Sequence, residues 1–376
     1  MIKVIADDKI PFLKGILEPF TDITYLPGRL INNEHLKDCD ALIIRTITKC
    51  TEELLDGTKV SFIGTATIGF DHIDTRLCEA RNIKWTNAPG CNSSSVGQYI
   101  AAALLKLSAD FHFRLRDKTI GIIGVGNVGT KVERIAKTFG MNVLLNDPPR
   151  ARAEGNDKFV DLDTILNESD IITMHVPLNI VGSDKTFHMI DDRKLRKMKN
   201  GVWLINSSRG EVILTSALKK ALHYVRFGGC ILDVWEDEPD IDLELLEKAF
   251  IGTPHIAGYS TDGKANGTSK VIRELSLTFN LPLINWYPDV IPQPHSPEIK
   301  IDATGKDIED IVREAVLHTY DINEDDTKLR FSPSDFEKLR GEYRIRREFT
   351  SFCVYLKNGT AESGNMLREL GFTVLM

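Results

Sequence analysis

Short apolar runs recur along this chain with amphipathic stretches between them. IKVIA (2–6), ALIIRT (41–46) and VSFIGTAT (60–67) are nearly continuous in hydrophobic character. Runs of that length with helix-like segments between them predict the strands of a parallel sheet covered by helices. A helix is expected over 94–108, around YIAAALLKL. The pattern then restarts. TIGIIGVG (119–126) reads as a strand entering a glycine turn, NVGTKVERIAKTFG (127–140) as an amphipathic helix closed by glycine, and NVLLND (142–147) as the next strand. DIITMHV (170–176), GVWLINS (201–207) and GCILDVW (229–235) continue the series.

This predicts two α/β domains, a first over 1–95 and a second over 96–258. A helix from 264 to 279 is expected to return to the first domain, giving it 259–285 as well. NLPLINWYPDVIPQPHSP (280–297) holds five prolines and reads as a linker. The remainder, within 286–376, is expected to form a third, small α+β domain.

Composition narrows the function. At 376 residues, two or three domains are expected, and 42% hydrophobic with 27% charged residues is ordinary for a globular protein. The net charge of −7 argues against nucleic acid or an anionic membrane as partner. The six cysteines are scattered, with no spacing that suits a metal, so no metal is expected. Scattered single cysteines suggest a reducing compartment, and the start MIKVIADDKIPF lacks the apolar run of a signal peptide. No apolar stretch of about 18 residues suggests a membrane span. The expected location is the cytoplasm.

Gly124, Gly126 and Gly129 form G-x-G-x-x-G between a predicted strand and a predicted helix. There the first glycine permits the turn, the second admits a pyrophosphate to the backbone, and the third lets helix and strand pack closely. The helix N-terminus offers free N–H groups to the phosphates. Asp147 ends the following strand, 18 residues past Gly129, where an acid would bind the adenosine ribose and repel a 2′-phosphate. NAD is therefore expected over NADP, although Arg150 just beyond weakens that preference.

Arg209, Glu238 and His255 each follow a strand-like run. In an open α/β sheet, ligands bind outside the carboxyl ends of the strands. An Arg to hold a carboxylate, a His to move a hydroxyl proton and a Glu to orient that His would suit oxidation of a 2-hydroxy acid. Taken singly, a surface ion pair explains Arg209, a turn cap Glu238 and a buried loop position His255. His175 in MHVPL and His72 in GFDHID compete for the role of base, and spacing eliminates neither.

The motifs GVGNVG, INSSRGE, LDVWEDEP and TPHIAGY occur in order, with GTATIGFDHID and NAPGCNSSSVGQY before them. This set closely resembles the D-isomer-specific 2-hydroxyacid dehydrogenase family over about residues 1–285. The resemblance implies a flavodoxin-like substrate domain and a Rossmann NAD domain, both doubly wound, with Arg209, Glu238 and His255 as catalytic residues. It implies NAD contacts at Asn127 and Val128 of the glycine turn and at Asp147 and Val176. Further contacts would come from Ser207, Ser208, Asp233 and Gly258. Thr46, Thr67 and Tyr259 would touch substrate, and Thr46 stands where the family carries Ser.

YLPGR (25–29), NDPPR, HIAGYSTDGKANGT and the C-terminal FEKLRGEYRIRREF carry a narrower likeness. It implies that the substrate is 4-phospho-D-erythronate, on the route to pyridoxal 5′-phosphate. It also implies that 286–376 is a dimerisation domain of a homodimer. Oxidation of 3-phosphoglycerate or another D-2-hydroxy acid is the rival reading, and a non-catalytic NAD-sensing corepressor a more distant one. The substrate phosphate needs a second cation. Arg45 is one candidate. Arg340, Arg344 and Arg347 are others, expected along one helical face, with Glu337 and Glu348 as the partners that would otherwise pair with them.

Overall fold

The structure is a computed structural model that describes residues 1–155, 157–223 and 227–376. The chain divides into two compact units, 1–92 with 260–292, and 93–259 with 293–376.

The first unit is built on five parallel strands. They are β1 (Ile2–Asp7), β2 (Thr21–Leu26), β3 (Ala41–Ile44), β4 (Phe62–Thr65) and β5 (Lys84–Thr86), in the order β2-β1-β3-β4-β5. This is the flavodoxin-like order. ALII and FIGT are buried at every position, as central strands covered on both faces must be. The helix Thr261–Phe279 packs Val271, Ile272 and Leu275 against Val4, Ile43 and Phe62.

The larger sheet of the second unit has six parallel strands among the described residues. These are β6 (Thr119–Ile123), β7 (Asn142–Asn146), β8 (Ile171–Met174), β9 (Val202–Asn206), β10 (Phe227–Leu232) and β11 (Ile251–Gly252), in the order β11-β10-β9-β8-β6-β7. The Val160 N–H donates to Leu145 O at 2.8 Å, so residue 160 borders β7. That is where the third strand of the dinucleotide-binding order 3-2-1-4-5-6 belongs. The helix Ser93–Asp110 is buried along most of its length, and its Ile100, Leu104 and Leu107 join Ile120 and Ile122 in one core.

The C-terminal segment belongs to this same core. Strands β12 (Glu298–Asp302), β13 (Cys353–Lys357) and β14 (Thr373–Leu375) form a parallel sheet, and the helix Ile308–Thr319 packs its Val312, Ala315 and Val316 there too.

One expected element is absent. The arginine-rich stretch is helical only over Phe336–Gly341, and 342–348 is irregular. Arg340, Arg344 and Arg347 therefore do not share a helical face. Arg344 pairs with Asp325 and Glu324 rather than with Glu337 or Glu348, and Glu348 accepts from Ser95 Oγ at 2.8 Å. Arg346 and Arg347 are buried, and their tertiary contacts outweigh local helix propensity.

Candidate active site and nucleotide site

Strands β9, β10 and β11 are adjacent and parallel, about 4.8 Å apart. The residues that leave their carboxyl ends therefore enter one neighbourhood. Arg209 follows β9, Glu238 follows β10 and His255 follows β11.

Close backbone contact holds the first two loops together. A Cβ on Gly210 would lie 1.9 Å from the carbonyl carbon of Trp235 and 2.3 Å from Glu236 N. Glycine lets the Arg209 loop rest directly on the chain that leads to Glu238. Asn206 Nδ2 donates to Arg209 O at 2.8 Å and fixes the same turn.

Glu238 Oε2 lies 2.7 Å from His255 Nδ1, and its Oε1 accepts from Trp235 N–H at 2.9 Å. Burial favours the neutral acid, but the charge and hydrogen bond of His255 and the Trp235 N–H outweigh it. The carboxyl is held below its usual range. An ionised carboxylate only accepts, so Nδ1 carries a proton, and the neutral tautomer this fixes has its lone pair on Nε2.

His255 sits in the left-handed region at φ 54, an uncommon state for a side-chain-bearing residue. The surrounding bonds impose it. Its N–H donates to Asp233 O at 2.7 Å. The buried Asp233 carboxylate accepts from Thr253 Oγ1 at 2.6 Å and from the N–H groups of Ile256 and Ala257 at 2.8 and 2.9 Å. Burial pushes the Asp233 carboxyl up to about 6, against these donors and His255. The Asp233 side chain, expected at the cofactor, is here engaged with the His255 loop.

The competing histidines are differently placed. His175 bonds Thr173 Oγ1 at 3.0 Å, with Ser207 Oγ at 3.4 Å, and burial drives it down to about 3, too weak for a base near neutral pH. His72 lies 3.2 Å from Thr65 Oγ1, and burial lowers it too. Thr65 in turn meets Thr67 Oγ1 at 2.8 Å, so His72 braces Thr67. Thr46 is exposed at the end of β3. Arg45 beside it contacts the buried Asp7 carboxylate at 3.1 and 3.4 Å, which offsets its charge. Tyr259 is half-buried, its ring edge-on to Tyr343 at 5.9 Å.

Each glycine of the turn after β6 has a different reason. Gly124 has φ +84, and a Cβ there would also meet His175 O at 2.6 Å. A Cβ on Gly129 would lie 2.0 Å from Gly124 O. Gly126 is exposed, and a Cβ there would meet nothing within 4 Å. Only the first two are required by the protein itself. The open space at Gly126 suits an external group that approaches the backbone. The helix Asn127–Thr138 begins there without a side-chain cap, with Asn127 exposed and Val128 half-buried. Its first N–H groups thus have no side-chain acceptor and suit a pyrophosphate.

Asp147 accepts from Val125 N–H at 2.8 Å and from Arg150 N–H at 3.0 Å, which ties it to the glycine turn. Arg150 is occupied: it bonds Glu154 at 2.6 and 2.8 Å and Val125 O at 2.5 Å. It does not offer a free cation for a 2′-phosphate. Ser208 is buried on Asn206, while Val176 and Gly258 are half-buried near strand ends.

Sequence reasoning, which offered Arg340, Arg344 and Arg347 as candidates for the substrate phosphate, missed Arg346 as a brace of the His255 loop. Arg346 is 2% exposed and donates to Ile256 O at 3.2 Å and to Ala257 O at 2.6 Å, just past His255. Arg340 lies over the Tyr259 ring at 5.7 Å. The only signal in the sequence was the density of basic residues in EYRIRREF. Among the described residues no group of His, Cys, Asp and Glu could hold a metal, and no helix is long and apolar enough to cross a membrane.

Residues 97–257 match the D-isomer specific 2-hydroxyacid dehydrogenase NAD binding domain, and 290–371 match a domain of unknown function. An erythronate-4-phosphate dehydrogenase of Bacteroides thetaiotaomicron is 50% identical, covering 94% of this chain and 99% of the relative. One from Yersinia pestis is 39% identical over 99% of both chains. Among solved structures, the D-lactate dehydrogenase of Aquifex aeolicus, complexed with NAD and lactic acid, superposes with a TM-score of 0.62 at 28% identity. It covers 77% of this chain and 100% of its own.

Proposed function

Because this chain belongs to the erythronate-4-phosphate dehydrogenases, within the D-isomer-specific 2-hydroxyacid dehydrogenase family, we propose that it oxidises 4-phospho-D-erythronate with NAD. The product is 2-oxo-3-hydroxy-4-phosphobutanoate, an intermediate of pyridoxal 5′-phosphate biosynthesis. The observation that carries the mechanism is the 2.7 Å contact between Glu238 and His255 Nδ1.

His255 Nε2 takes the proton of the C2 hydroxyl, and Glu238 stabilises the imidazolium that forms. Arg209 pairs with the substrate carboxylate and polarises the oxygen on C2. NAD, when bound, accepts the hydride that leaves C2. The glycine turn from Gly124 to Gly129 holds its pyrophosphate and Asp147 its ribose. Val176, Ser207, Ser208 and Gly258 would border the nicotinamide half, and Asp233 would act there through the His255 loop that its carboxylate holds. Thr46, Thr67 and Tyr259 position the substrate, with the Thr67 hydroxyl oriented by Thr65.

The chain works as a homodimer joined through its C-terminal segment. Lys300, Tyr355 and Leu375 are in register and exposed on one face of the β12-β13-β14 sheet, a surface that a second copy can cover. Sedimentation at micromolar concentration is expected to give the mass of two chains. The six cysteines are free thiols, which suits the cytoplasm.

The test is NADH formation with 4-phospho-D-erythronate, 3-phosphoglycerate and D-lactate in parallel, each with a trap for the 2-oxo product. 4-Phospho-D-erythronate is expected to lead by about 100-fold in kcat/KM, or about 2.7 kcal/mol of transition-state discrimination. A lead for 3-phosphoglycerate would overturn the substrate assignment and keep the family.

A further inference from the structure

A phosphorylated 2-hydroxy acid brings two anions to the site, and Arg209 accounts for one. Residues 340–347 hold four more arginines, of which Arg344 and Arg346 are engaged elsewhere. Arg344 meets Asp325 at 2.7 Å and Glu324 at 2.9 Å. Arg346 donates to Gln98 Oε1 and to the carbonyl oxygens of Ser95, Ile256 and Ala257. Arg347 is buried.

Arg340 differs from them. Its guanidinium carbon lies 5.7 Å from the centre of the Tyr259 ring and 5.9 Å from that of Phe336. Its Nε is buried with no hydrogen-bond partner, and among the described residues no carboxylate lies within ion-pair distance. Buried donors without partners are rare and call for a reason. Aromatic faces hold a guanidinium in place without cancelling its charge. That charge reaches the catalytic pair, because Arg340 is among the groups that lower the Glu238 carboxyl. A planar, always-charged fork of N–H donors is well suited to phosphate oxygens.

We propose that Arg340 binds the terminal phosphate of the substrate, so that the C-terminal segment makes the site specific for phosphorylated 2-hydroxy acids. The proposal rests on the dehydrogenase reading given above and adds to it the residue that selects the phosphate.

The experiment compares wild type with Arg340→Met and Arg340→Lys, using 4-phospho-D-erythronate and unphosphorylated D-erythronate. Arg340→Met is expected to raise KM for the phosphorylated acid about 30-fold, in the range for loss of a charge-assisted pair. The ratio of kcat/KM on 4-phospho-D-erythronate to that on D-erythronate should fall by about the same factor, and Arg340→Lys should recover part of that ratio. Equal losses on both acids, or an unchanged ratio between them, would overturn the proposal. Arg340→Lys decides the matter by the same ratio if the Met variant does not fold.

If wild type does not oxidise 4-phospho-D-erythronate, the functional reading fails separately. The arginine is then judged by inorganic phosphate. The phosphate should raise the Tm of the wild-type NAD complex and leave that of Arg340→Met unmoved, whereas equal shifts in the two proteins would sink the idea.

Discussion

Arg346 Nη2 donates to the carbonyl oxygen of Ala257 at 2.6 Å, two residues beyond His255. The same guanidinium bonds Ser95 O and Gln98 Oε1, and it lies 4.3 Å from the centre of the Tyr320 ring. A residue of the C-terminal segment thus grips the loop that carries His255. The left-handed backbone at His255 is held from both sides, by Asp233 at its N–H groups and by Arg346 at the carbonyls that follow.

Replacing Arg346 with Met should leave four buried oxygens without that donor. The expected cost is about 3–5 kcal/mol of stability, read from urea denaturation. A fall in kcat should accompany it, with KM for NAD little changed, because the glycine turn belongs to other strands of the sheet. Lys at this position should restore only part, since one ammonium cannot span four acceptors.

Glu238→Gln keeps the shape of the pair and removes the charge. Oxidation should slow by about 100-fold, and the acid limb of its pH–rate profile should move to lower pH, because the imidazolium loses its stabilising carboxylate. A change in KM alone would contradict the role given to Glu238. The wild-type carboxyl is held low in the folded state, so its contribution to stability is complete above the unfolded value near 4.3. It is lost as pH falls through the lower folded value. The Gln variant should lack that acid-side loss.

The glycine turn gives a paired prediction. Gly126→Ala meets open space at φ −75, so the Tm without cofactor should be unchanged while KM for NAD rises about tenfold or more. Gly129→Ala places a methyl 2.0 Å from Gly124 O, and the apoprotein should lose about 2 kcal/mol or more. Equal Tm losses in the two variants would contradict the assignment of Gly126 to ligand approach.

Asp233 makes stability depend on pH in the opposite sense to Glu238. Its folded carboxyl holds a proton up to about 6, which the unfolded chain releases near 3.9. Between those values the native state binds more protons, so stability falls as pH rises, by about 3 kcal/mol in total. Asp233→Asn retains an oxygen acceptor for Thr253 and should flatten that slope in urea midpoints measured from pH 4 to 6.

Much of this protein was legible in its sequence. Parallel strands covered on both faces must be short and apolar, which is how ALII, TIGII and VWLIN announced themselves. The glycine turn and the Arg209, Glu238 and His255 positions follow from local order, because each lies just past the carboxyl end of a strand. Strand β2 escaped notice because an edge strand such as TDITYL is half-polar. Tertiary structure decided the rest. The arginines of 340–347 have partners as distant in sequence as Ser95, Gln98, Ile256 and Tyr259, and no periodicity encodes such pairings. Local propensity suggested a basic helical stripe. Burial of Arg346 and Arg347 replaced it with an irregular segment whose Arg346 side chain braces the His255 loop, because a buried guanidinium needs oxygens wherever the fold supplies them.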